Sequence, residues 1–131
     1  KKGRISPAVE RLIECNILLS GVGFESGGLA LAHAIANGLT ILPECKAMHG
    51  EAVAFGLVVQ LRLERAPELE QVLEFCQRVG LPTTLEELGL GEISDADLMS
   101  VADAAFRNER NMANEQAKVT KQKLVELMRE A

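Results

Sequence analysis

Two stretches decide the reading of this chain: residues 20–38, SGVGFESGGLALAHAIANG, and residues 49–56, HGEAVAFG. After the glycine-rich run from Gly21 to Gly28, apolar and small residues continue to Asn37. That spacing predicts a helix from about Leu29 to Asn37, with Gly38 as its C-terminal stop. The second stretch opens a helix from His49 to about Arg65. Its first part, Val53 to Val59, is apolar on nearly all sides, the pattern of a helix buried by its neighbours.

Working outward, helix signals recur to both ends. Ser6-Pro7 is an N-cap followed by proline at the first helical position. Val9, Leu12, Ile13 and Ile17 repeat at helical spacing, and Gly21 is expected to end that run. Thr40 to Met48 reads as a loop containing Pro43. Pro67 opens a helix with Leu69, Val72, Leu73, Cys76 and Val79 on one face, closed by Gly80 and blocked by Leu81-Pro82. Thr83 to Glu86 has the capping-box pattern of a short helix ending at Gly89. Ser94 to Asp97 starts another in the same way, carrying Leu98, Val101, Ala102 and Ala105. Residues 107–119 are polar and irregular, and Thr120 caps a last helix with Leu124, Leu127 and Met128 inward. The only strand-like run, Thr40-Ile41-Leu42, is too short to stand. The expectation is an all-α bundle of about six or seven helices, one domain over residues 1–131.

Composition narrows the function. Of 131 residues, 47% are hydrophobic and 25% charged, which suits a folded core. Aromatics are 3%, with no Trp or Tyr, which argues against a stacking platform for nucleic acid or a sugar-binding groove. The net charge of −5 argues against any polyanion partner. No apolar run approaches the ~20 residues of a membrane span, so no membrane partner is expected. Cys15, Cys45 and Cys76 are odd in number and form no CxxC, which fits reduced thiols and a cytoplasmic location. There is no signal-peptide pattern. Lys1 to Arg4 run straight into a helix signal without an initiator Met, so the chain is expected to be cut from a longer one.

The two histidines are the best chemical candidates. Each alone reads more readily as a core or helix-end residue satisfied by its neighbours. As a pair, neutral imidazoles suit zinc or ferrous iron. Their spacing is not that of HExxH. The glycine run misses GxGxxG by one position, follows a helix rather than a strand, and contains no GxxxxGK[ST]. Its plainer use is for Gly21 to cap a helix and for Gly27 and Gly28 to permit close backbone approach. No serine or cysteine has a base at a recognisable catalytic spacing.

Taken together, residues 20–38 and 49–56 strongly resemble the glycerol-oxidising branch of the iron-containing (group III) alcohol dehydrogenase family. The resemblance implies the C-terminal helical domain of a two-domain, dehydroquinate-synthase-like subunit whose N-terminal α/β domain binds NAD. It implies His33 and His49 as ligands of Zn2+ or Fe2+, with a third ligand, an Asp, upstream of Lys1. It implies Phe24 as a substrate-binding wall of the cleft. The implied reaction is metal- and NAD-dependent hydride transfer from glycerol or a related polyol or secondary alcohol. Expected partners are that small alcohol, the N-terminal NAD-binding domain of the same subunit, and further copies in a homo-oligomer. Alone, the chain is expected to be inactive. Ala36 stands where members often have a second His, Ala52 where many have Lys, and Asn108 to Met112 in the region of a late His-Asn element. These departures bear on the choice of alcohol more than on the metal. A string like residues 49–54 also occurs in dehydroquinate synthase, a lyase, which is the alternative activity. Glu25 to Gly28 favour the dehydrogenase. A helical interaction module without activity is the third reading.

Overall fold

The computed structural model describes residues 5–131, so the opening Lys1 to Arg4 lies outside the described residues. Helix α1 spans Pro7–Gly27. It is α-helical over Pro7–Glu14, takes a π turn over Cys15–Leu19, and is α-helical again over Ser20–Gly27. Ser6 caps it, its Oγ accepting the Val9 N–H at 3.3 Å. The helix does not stop at Gly21, as the sequence suggested. A glycine inside a helix costs only about 1 kcal/mol relative to alanine, so it weakens the run without ending it. The stop comes at Gly28, whose φ of 71° lies in the left-handed region open to glycine. A side chain there would also meet Asn114 Nδ2 at 2.6 Å. That amide is fixed in place because it donates to Leu29 O at 2.8 Å.

Helix α2, Leu31–Leu39, leaves α1 at 107°. It packs on α3, His49–Glu64, to form the centre of the molecule. Two glycines make that centre possible. At Gly56 of α3 an added Cβ would fall 2.3 Å from Ala32 O of α2. Gly38 is not the residue after the helix but the penultimate residue of α2, pressed against the next layer: its Cβ would fall 2.6 Å from Val101 O. The start of α2 has no side-chain cap of its own, since Ala30 precedes it. Gln60 of α3 supplies the acceptor, taking the Ala32 N–H on Oε1 at 2.9 Å. Its Nε2 donates to Glu64 Oε1 at 2.7 Å, which holds the amide in that orientation.

Helix α4, Leu69–Val79, ends on Gly80 as the sequence indicated, with φ 76°. Of its expected inner face only Cys76 is fully buried, and Val79 is exposed. Burial, then the charge of Glu87, push the Cys76 thiol up. The short helix expected after Thr83 is absent. Residues 84–89 are consecutive turns ending at Gly89, φ 76°, that press Leu85, Leu88 and Leu90 into the core. The capping chemistry survives one residue later, with Thr84 Oγ1 accepting the Glu87 N–H at 3.1 Å. Helix α5, Asp95–Arg107, starts on Ser94, and the last helix starts on Thr120, both by side-chain caps as read from the sequence. Between them the irregular stretch contains one short helix, α6, Glu109–Ala113; the last helix is α7, Lys121–Glu130. No strand occurs among the described residues, and the fold is all-α with seven helices. Leu31, Ile35, Phe55, Leu98, Leu124 and Met128 are among the fully covered core side chains from α2, α3, α5 and α7.

The segment between α6 and α7 holds Glu115, whose carboxyl is raised above its usual range by burial first and by the neighbouring charge of Glu64 as well. Its Oε1 accepts the Ala117 N–H at 2.8 Å, a bond that a glutamine carbonyl can keep. A raised carboxyl binds its proton more tightly in the folded state, so folding weakens as pH rises through and above the ordinary glutamate range. Glu115→Gln is therefore expected to melt above the parent at pH 7, and the gap is expected to close near pH 4. Parallel melting curves at both pH values would contradict this.

Helix α1 is unlike the rest. It has no buried residue, and it packs against no other helix among the described residues. Leu12, Ile17, Leu18, Leu19 and Val22 are more than half exposed. No single described helix is long and apolar enough to cross a membrane.

Candidate metal centre and substrate cleft

The α2–α3 contact sets the site. His33 sits in the middle of α2, and His49 is the first residue of α3. Their ring centroids are 5.6 Å apart and the planes are inclined at 55°. A zinc–nitrogen bond of about 2.1 Å plus about 1.1 Å from nitrogen to ring centre puts each centroid about 3.2 Å from an ion. At the tetrahedral angle the centroids would then be about 5.2 Å apart, so the observed spacing fits a shared ion closely. Around His33, burial first and the proximity of His49 second lower the imidazole below its ordinary value. It is thus held in the neutral form that ligates metals. Among the described residues no third His, Cys, Asp or Glu joins them. The pair supplies two donors of the four that a tetrahedral ion takes.

The rings open into a cleft of about 500 Å3. Ser20, Gly23 and Phe24 of α1 form one wall, with Gly28 and Leu29 at the bend. Asn37 closes the other side, and being four residues from His33 it shares that face of α2. The structure therefore brings together all three site residues read from the sequence, His33, His49 and Phe24. The reading missed Ser20 and Asn37, although the helical i, i+4 relation to His33 was available for Asn37. It also missed Arg110, in the stretch taken as irregular. The Arg110 guanidinium carbon lies 5.9 Å from the centroid of the Phe24 ring.

No protein-family model matches the chain. Individual relatives do. The glycerol dehydrogenase of Thermotoga maritima is 52% identical over 119 residues, covering 88% of this chain and 33% of the relative. That of Citrobacter freundii is 50% identical over 121 residues, covering 90% and 33%. The chain is a homologue of the glycerol dehydrogenases. The crystal structure of glycerol dehydrogenase from Schizosaccharomyces pombe agrees in fold as well, with a TM-score of 0.89 at 39% identity over 97% of this chain and 33% of that one. This glycerol dehydrogenase homologue thus spans about a third of the length of the curated relatives it matches. The match takes in nearly all of the chain, so α1 has a counterpart in that structure despite burying nothing here.

Proposed function

We propose that the chain serves as the helical, metal-holding part of an NAD-dependent dehydrogenase that oxidises glycerol or a related secondary alcohol. The observation that carries this reading is the pair of imidazoles set 5.6 Å apart at the end of a cleft. The similarity to glycerol dehydrogenases supports it. His33 and His49 would hold a divalent cation, zinc or ferrous iron. Bound there, such an ion supplies Lewis acidity that lowers the pKa of an alcohol hydroxyl.

The residues of this chain do the rest of the positioning. Helix α2 fixes His33 because its neighbours Ala32, Ala34 and Ile35 are buried. His49 turns into the cleft from the first position of its helix, where Glu51 ties the preceding Met48 N–H at 2.7 Å. Phe24 and Leu29 present apolar surface to the carbon skeleton, while Ser20 and Asn37 can bond its other hydroxyls. The third metal ligand and the dinucleotide site would come from an N-terminal domain of the same subunit. The apolar face of α1 would lie against that preceding polypeptide, and subunits would assemble as homo-oligomers. Two donors hold an ion weakly, so the 131-residue chain alone would transfer no hydride. The test is NADH formation from glycerol or propane-1,2-diol by the zinc-loaded full-length subunit. Turnover of a seven-carbon phosphate ester by elimination, with no alcohol oxidised, would replace this reading with the lyase.

A further inference from the structure

Beside Phe24 of the cleft wall stands a cation from another helix that the polyol reading does not use. Arg110 projects from α6, and its guanidinium carbon stands 5.9 Å from the ring centre of Phe24. Phe24 is 49% exposed and faces the cleft. The element bearing Arg110 is anchored there: its C-terminal neighbour Asn114 donates to Leu29 O at 2.8 Å, and Leu29 lines the same cleft. Helix α6 also packs on α2, which carries His33. Among the described residues, Arg110, like several other arginines of the chain, has no carboxylate partner. No acidic side chain lines the cleft. In a chain of net charge −5, an unpaired arginine beside a carboxylate-free cleft is a local reversal of sign.

We infer that Arg110 recognises an anionic group on the substrate, and that the cleft accepts short 2-hydroxy acids as well as neutral polyols. This rests on the dehydrogenase reading above and adds a substrate class to it. A single arginine presents a planar fork that matches one carboxylate in bidentate fashion. The aromatic face of Phe24 holds the guanidinium beside that ring without neutralising it. The reaction balances as for any secondary alcohol. The carbinol C–H bond breaks with its electron pair passing to the nicotinamide ring of NAD+. The hydroxyl proton leaves to solvent, and a 2-oxo acid and NADH remain.

Lactate and propane-1,2-diol differ only in carboxylate against hydroxymethyl, so they isolate the contribution of charge. In the full-length, zinc-loaded subunit, the ratio of kcat/KM for lactate to that for propane-1,2-diol is expected to fall at least about tenfold in Arg110→Gln. Arg110→Lys is expected to recover part of it, since the charge remains and the fork is lost. An unchanged ratio, or oxidation of the diol with no oxidation of lactate by the parent, would overturn the inference and leave the dehydrogenase reading intact. Preference for glycerol 3-phosphate over lactate would overturn the carboxylate assignment. If no alcohol is oxidised at all, the dehydrogenase reading fails, and a binding measurement on the 131-residue chain decides the arginine separately. There the Nε–Hε resonance of Arg110 is expected to shift saturably with lactate and not with the diol. No shift would end the proposal.

Discussion

Gly56→Ala is expected to lower the stability of the fold by about 3 kcal/mol or more, read as an earlier midpoint in urea. The methyl group would be placed 2.3 Å from Ala32 O, a backbone atom in the first turn of α2. A flexible side chain could swing aside at small cost, but a carbonyl within a packed helix can yield only if α2 and α3 separate. Separation would also loosen contacts around Ile35, Phe55 and Val59, all fully buried. The comparison that makes this decisive is Gly21→Ala. Gly21 is helical too, but an added Cβ there meets nothing within 4 Å. Alanine should then stabilise by up to about 1 kcal/mol, through helix propensity and a less flexible unfolded chain. The same chemical change thus carries opposite signs at two helical glycines. Equal effects at both positions would mean that the α2–α3 contact is looser than described.

The second large effect concerns the ion. In the full-length subunit, His33→Ala and His49→Ala are each expected to cut zinc affinity by more than about a hundredfold, beyond the 10–100-fold typical of losing a supporting residue. Alcohol oxidation should fall to background in both. Each substitution removes a nitrogen donor and leaves the helices in place, so helical content by circular dichroism should match the parent. Metal content after dialysis, measured beside activity, separates loss of the ion from loss of the fold. Stoichiometric zinc and full turnover in either variant would remove that histidine from the ligand set.

How much of this was legible depended on how far apart the cooperating residues stand in the chain. Caps are local, so Ser94 and Thr120 announced α5 and α7 correctly. Apolar periodicity is local as well, and the buried side of α5 was read from it. Glycine is ambiguous by nature. It ends α4 at Gly80 and α1 at Gly28, but at Gly38 and Gly56 it lets two helices touch. Which role applies is decided by Val101 and Ala32, residues that sequence spacing cannot bring alongside. Hence Gly21 and Gly38 were both misread as stops. The turns at residues 84–89 failed for a related reason: the capping residues were present, but the leucines there are drawn into the core separately. In the cleft, His33, His49 and Phe24 came from the motifs, whereas Arg110, which stands against the Phe24 ring, lies too far along the chain from it for any pattern to join them.

Helix α1 furnishes a wall of the cleft through Ser20, Gly23 and Phe24, yet apart from the Arg110 side chain over Phe24 no other described helix packs on it. The rigidity of that wall is therefore borrowed. A polypeptide that settled on the bare apolar flank of α1 would freeze Phe24 in position, and a ligand that needs Phe24 in position would favour the settled state by the same free energy. Assembly and ligand affinity would then be two readings of one equilibrium.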